Sequence, residues 1–96
     1  KPDGMKSFAA LAPMKDAQKS KEYRQQHLDF LKDQREAGNV FMYGRFADGA
    51  GGLVIYRGES LEAVEEIVRQ DPYVTSGARH YEVHEWDMQT DYTIQS

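Results

Sequence analysis

Two helix-length segments, each bracketed by short apolar runs, constrain this 96-residue chain more than any other feature. Phe8-Ala9-Ala10-Leu11, bounded by Pro13, predicts a strand over Lys6 to Ala12, and Lys15 to Lys19 reads as a polar loop. Ser20 to Ala37 has helical periodicity, with Ser20 as the expected N-cap and Gly38 as the expected C′ residue. A second strand is expected from Asn39 through Val40, Phe41, Met42, Tyr43 and Phe46. Asp48 to Gly52 makes a turn, and Leu53 to Tyr56 a third strand, together a hairpin. Ser60 caps a second helix, with Glu62 in the first turn where the helix dipole favours negative charge. Leu61, Val64, Ile67 and Val68 form its apolar stripe, and Pro72 is expected to stop it. Ala78 to Trp86 predicts a fourth strand.

The order β-α-β-β-α-β is that of an α+β, ferredoxin-like sandwich. Both helices of that plan cover one face of an antiparallel sheet, and a solvated second face would alternate apolar with polar residues. Strands one to three instead carry nearly continuous apolar runs. The second face therefore needs a cover, and a homodimer, the commonest oligomer, supplies it. One domain is expected over residues 5–88. Lys1 to Gly4 read as an appended remnant ahead of Met5, and residues 89–96 as a polar C-terminal tail.

The formal net charge of −4 argues against nucleic acid or an anionic membrane as partner, because phosphate binding needs clustered Lys and Arg. The chain has no cysteine, which excludes disulfides, thiolate chemistry and a cysteine zinc site. No apolar run reaches the length of a membrane span, and a cytoplasmic location is the expectation. His80, Glu82 and His84 alternate onto one strand face, where adjacent members could share an ion but no third ligand for such a pair is evident, so no metal and no cofactor is expected. The aromatics Phe41, Tyr43 and Phe46 come without the basic signature of an RNA-binding strand. Asp48-Gly49-Ala50-Gly51-Gly52 has neither the spacing nor the following helix of a phosphate loop.

His27 is the candidate for chemistry. At ~100° per residue, Tyr23, His27, Phe30, Leu31 and Gln34 share one arc of the first helix, opposite Asp29, Lys32, Asp33 and Glu36. A titratable ring among apolar neighbours costs desolvation free energy unless it is paired. Asp71 is the candidate partner. Continuing the second helix beyond Gln70 turns it inward with Val64, Ile67 and Val68, at a C-terminus where the dipole disfavours a carboxylate by ~0.3–1 kcal/mol. With the two helices expected to run in the same direction, His27 lies about 10 Å along the first and Asp71 about 15 Å along the second, at ~1.5 Å per residue. The carboxylate would hold one ring nitrogen protonated and leave the other as a base. Arg24, one turn before His27, is a candidate for an anionic substrate group or a developing enolate, or else a surface ion pair. Tyr73 is a candidate pocket wall or hydrogen-bond donor, or else an aromatic core plug.

Tyr23-Arg24-Gln25-Gln26-His27-Leu28, followed by Gln70-Asp71-Pro72-Tyr73-Val74 and then Gly77, resembles the YciI-like (YCII-related) family. The resemblance runs over essentially Met5 to Met88 and takes in Gly44-Arg45-Phe46 and the glycine-rich hairpin. It implies a dimeric α+β barrel, the superfamily that also contains muconolactone isomerase and chlorite dismutase. It further implies that His27 and Asp71 occupy the family's active-site positions. A relative that is a dehydrochlorinase of a hydroxylated aromatic ring suggests base-assisted elimination. Asp87 to Ser96 has no counterpart in that pattern. Two classes of function follow: isomerase or lyase chemistry on a small anionic or phenolic substrate, with no cofactor, or a non-catalytic small-molecule-binding or structural dimeric module.

Overall fold

A computed structural model describes residues 6–89. Strand β1 (Lys6–Pro13) is followed by helices α1 (Ala17–Glu22) and α2 (Arg24–Glu36), then by β2 (Val40–Arg45) and β3 (Gly51–Gly58). Helix α3 (Leu61–Val68), the one-turn α4 (Pro72–Thr75) and β4 (Glu82–Glu85) follow among the described residues. The four strands form one antiparallel sheet in the order β2-β3-β1-β4. This is the expected ferredoxin-like α+β sandwich. Met5, Lys1 to Gly4 and residues 90–96 lie outside the described residues, so most of the expected tail goes with them. Among the described residues no helix is long and apolar enough to cross a membrane.

The pairing register sorts the strand residues into two faces, because successive side chains alternate. Phe8, Ala10, Val40, Val54, Tyr56 and Val83 form one face and pack with Leu31, Val64 and Val68 into the core. The other face carries Ala9, Leu11, Met42, Leu53 and Ile55, matched across the strands as Ala9↔Ile55, Leu11↔Leu53 and Met42↔Ile55. The second apolar face expected from the sequence is therefore present, ringed by Arg57, Glu82 and His84. A bulge between Val40 and Met42 shifts the parity of β2. It turns Tyr43 and Arg45, opposite Val54 and Gly52, onto the helix-covered side.

Several local expectations are corrected. The first helix starts earlier than Ser20: Asp16 is the N-cap, its Oδ1 accepting the Lys19 N–H at 3.0 Å, and α1 occupies the expected loop. Ser20 is buried inside α1. Tyr23, at φ −103° and ψ 6°, breaks the segment into two helices. Gly38 ends α2 with φ +87°, as expected of a C′ glycine. Asn39 belongs to the helix end rather than to β2, bonded through its backbone and its side-chain amide to Gln34. Phe46 lies just past β2, with its N–H donating to the Gly51 carbonyl, and Gly51 and Gly52 belong to β3. Ser60 caps α3 as expected, accepting the Ala63 N–H. Pro72 opens a helix instead of closing one: α3 has already ended at Val68, and Pro72 fits the first position of α4, where its missing N–H costs nothing. The fourth strand is shorter than Ala78 to Trp86, because Ala78 to His80 instead hold the chain after β1. Arg79 bridges Met14, and His80 N–H donates to the Pro13 carbonyl.

The helix directions also differ from expectation. With β1 and β2 parallel and separated by β3, the α1–α2 segment must return against β1, while α3 runs along it. The start of α2 and the end of α3 thus lie at the same end of the sheet. Residues near these two points meet without any match of helical rise.

Tyr56, 1% exposed, has its phenol pushed up from the ordinary value of 10.0, first by burial and then by the negative charge of Asp71. Below about pH 10 the group is protonated in both folded and unfolded chains, and its contribution to stability is whole. Above that pH the unfolded chain ionises first, so stability falls as pH rises, by at most about 1.4 kcal/mol per pH unit for this group. Urea unfolding across pH 9–11.5 should show Tyr56→Phe with a shallower alkaline decline than the parent. Identical slopes would contradict this assignment.

Candidate active site

The site begins with a local capping problem. Asp71 is the N-cap of α4: its backbone is extended, at φ −62° and ψ 129°, and its Oδ1 accepts the Tyr73 N–H at 2.9 Å. The carbonyl of Asp71 accepts from Val74 and Thr75, closing the turn. The carboxylate therefore sits at a helix start, not at the disfavoured C-terminus that the sequence suggested. Its inward direction is as expected. Asp71 is 6% exposed, one of two buried polar residues among those described.

His27 comes from the first turn of α2 and reaches this carboxylate. Its Nδ1 lies 2.8 Å from Asp71 Oδ1 and 2.9 Å from Oδ2. A carboxylate accepts, so Nδ1 carries the proton, and Nε2 of the neutral ring keeps its lone pair. Among the described residues Nε2 has no hydrogen-bond partner, and His27 lines a cavity of about 440 Å³. The side chains of His27 and Asp71 are 12% and 8% exposed. Both are shielded, yet the ring keeps an edge on the cavity.

Tyr73 and Arg79 brace the imidazole from one side. The Tyr73 ring stacks on His27 with centroids 3.9 Å apart and planes 13° from parallel. Arg79 lies against the Tyr73 ring, its Cζ 4.3 Å from the centroid, a cation–π contact. The guanidinium is fixed in turn: Nε donates to Ser20 Oγ at 3.0 Å and Nη1 to the Ala12 carbonyl at 3.4 Å. The Arg79 backbone N–H donates to the Tyr73 carbonyl at 3.0 Å. The His27 ring can thus neither rotate about Asp71 nor slide past Tyr73 without breaking contacts from several elements.

Ala12, Leu28, Leu31, Tyr43 and Val54 give the cavity its apolar walls. Arg24 is exposed on the cavity lining, and Tyr73 is buried there, so all four residues singled out in the sequence converge on one site. Arg79, Ser20, Tyr43 and Arg45 were not anticipated. The β2 bulge hides Tyr43 and Arg45 from a simple alternation count. No local pattern marks Arg79, whose position depends on the pairing of the segment after α4 with the end of β1. His84 Nε2 contacts Glu82 Oε2 at 2.5 Å on the opposite face of the sheet, and among the described residues no group of three or more His, Cys, Asp or Glu side chains could hold a metal.

The YCII-related domain matches this chain over residues 5–87. The chain belongs to that family. It is similar to the uncharacterized protein YjpA of Bacillus subtilis (strain 168), 34% identical over 62 residues that span 65% of this chain and 73% of that protein. Its fold is similar to that of 5-chloro-2-hydroxyhydroquinone dehydrochlorinase (TftG) from Burkholderia phenoliruptrix AC1100, solved in complex with 2,5-dihydroxybenzoquinone. The TM-score is 0.74 at 19% identity, covering 86% of this chain and 95% of that one. The sheet order and helix placement described above are those of the α+β sandwich that this likeness shows.

If the clamp on His27 is energetically real, the two residues should be coupled. Asp71→Ala removes a helix cap and leaves Nδ1–H without its acceptor, at an expected cost of about 2–4 kcal/mol in urea unfolding. A double-mutant cycle with His27→Ala should give a coupling of about 1 kcal/mol or more. Simple additivity of the two substitutions would show that the pair does not interact in solution.

Proposed function

We propose that this YCII-related protein uses His27 as a general base on a small anionic or phenolic substrate. The observation that carries the reading is the one-sided pairing of the imidazole. Nδ1 is occupied by Asp71, and the remaining nitrogen borders a cavity of substrate size. In this reading His27 Nε2 removes a proton from an acidic O–H or C–H of the bound molecule. The imidazolium that forms is stabilised by the Asp71 carboxylate and keeps its plane against Tyr73. Arg24 supplies positive charge for the anion. In an elimination, the electron pair left by the proton forms a new π bond, and the departing group leaves with the pair of the bond that breaks. In an isomerisation, His27 returns the proton to a different atom of the substrate. Both balance without an oxidant or a second reactant. The dehydrochlorinase with the similar fold supports the elimination form and a hydroxylated ring as substrate.

A sealed structural tie between His27 and Asp71 is less well supported, since that arrangement would close both ring nitrogens off from the cavity. We also infer a homodimer through the second sheet face, supported by its apolar set Ala9, Leu11, Met42 and Leu53, of which Met42 is exposed and the others half-buried. Light scattering should give twice the mass of one chain, and Leu53→Lys should shift the population toward single chains. A parent protein of single-chain mass would refute the dimer.

Proton abstraction can be tested without knowing the natural substrate. NMR should detect catalysed exchange of ring C–H for deuterium, or release of halide, in a panel of hydroxylated and halogenated aromatics. His27→Gln should lower the rate by about 10²–10⁴-fold while the protein stays folded. Asp71→Asn, which can still orient the ring but carries no charge, should fall in between. No activity from the parent protein across the panel, or equal activity from His27→Gln, would refute the general-base role.

A further inference from the structure

The cavity is cationic in a protein whose net charge is −4. Lys21, Arg24, Arg45 and Arg79 line it, and no Asp or Glu is among the lining residues; Asp71 lies behind His27. Arg79 is committed to Tyr73, Ser20 and the Ala12 carbonyl. Lys21, Arg24 and Arg45 are different: among the described residues none has a carboxylate within ion-pair distance or a side-chain hydrogen bond. They come from both layers of the sandwich, Lys21 and Arg24 from the helices and Arg45 from β2. The bulge is what turns Arg45 to the helix side, where it faces the cavity.

The lining is also ordered by depth. Lys21, Arg24 and Arg45 are exposed, whereas Leu31, Val54 and Tyr73 are buried and His27 is half-buried. Entering the cavity, a ligand meets cations first, the imidazole edge next and the buried apolar walls at the bottom. A substrate that is neutral until His27 takes its proton needs one cation near the developing charge. Three uncompensated cations around one mouth repel one another, and a permanent anion relieves that repulsion.

We propose that the ligand of this site is a planar ring carrying a permanent carboxylate at one end and an acidic hydroxyl at the other, with Lys21, Arg24 and Arg45 reading the carboxylate. Arginine's planar fork suits a carboxylate, and recognition from two layers fixes the ligand's long axis toward His27. The proposal rests on the general-base reading only for the role of the hydroxyl. The choice of a carboxylate rests on the mouth alone.

Calorimetric titration of the full chain with 4-hydroxybenzoate, phenol and benzoate tests it. 4-Hydroxybenzoate should bind at least about 10-fold more tightly than phenol, with the margin shrinking at high salt. Arg24→Gln and Arg45→Gln should each weaken 4-hydroxybenzoate by roughly 3–10-fold, and the double variant should bind it no better than phenol. In each variant phenol affinity should fall by a clearly smaller factor than 4-hydroxybenzoate affinity. Equal binding of phenol and 4-hydroxybenzoate, a preference that survives the double variant, or no binding of either carboxylate would overturn the proposal. The general-base reading fails separately: a His27→Gln protein with undiminished proton exchange removes the base and leaves the carboxylate preference standing.

Discussion

One carboxylate ties together parts of this protein that are far apart in the chain. Asp71 accepts the backbone N–H of Tyr73, which starts α4, and the imidazole N–H of His27, which belongs to α2. The first bond determines where the chain turns after α3. The second determines which nitrogen of His27 holds the proton. Buried at 6% exposure, the carboxylate is costly to leave unpaired, so each partner helps to justify its place. The stack of Tyr73 on His27 follows from the same arrangement, because the residue that the cap orients is also the one whose ring covers the imidazole.

Topology brings these groups together. In a split β-α-β arrangement the returning helix α2 begins where β1 ends, and α3 ends at that same edge of the sheet. The β2–β3 hairpin also turns there, bringing Arg45 and Gly52 to the cavity. The chemistry is thus gathered at one end of the sandwich, while the hydrophobic core fills the middle. Such a division lets the site keep polar contacts without loosening the packing of Phe8, Tyr56, Leu31 and Val64.

Much of this was legible in the residues, for physical reasons. Apolar runs and caps such as Ser60 and Gly38 act locally, so the element order and several boundaries could be read directly. The inward direction of Asp71 was also legible, although the helical pattern continues through it as if it ended α3, when it is the N-cap of α4. The Asp-Pro step hid this, since proline both ends one helix and favours the opening turn of the next. The helix directions are not written in any local pattern; His27 and Asp71 meet although α2 and α3 run in opposite directions, because the sheet topology and not the rise per residue sets their heights. The bulge at Phe41 and the bridge of Arg79 to Met14 depend on pairing between distant strands. No local pattern carries that information, so nothing in the sequence marks Arg45, Tyr43 and Arg79 as facing one cavity. The kink at Tyr23 was equally hidden, because the residues on either side of it are all compatible with one continuous helix.

His27 is held in a single tautomer, with Nδ1 bound to Asp71 and Nε2 without a hydrogen-bond partner among the described residues. Long-range proton–nitrogen NMR correlation on the ¹⁵N-histidine-labelled protein reads this directly. With the ring neutral, His27 should show a protonated Nδ1 and an unprotonated Nε2, and Asp71→Ala should return it to the tautomer mixture of a free imidazole. A His27 ring protonated at Nε2, or one whose tautomer ignores the loss of Asp71, would contradict the account.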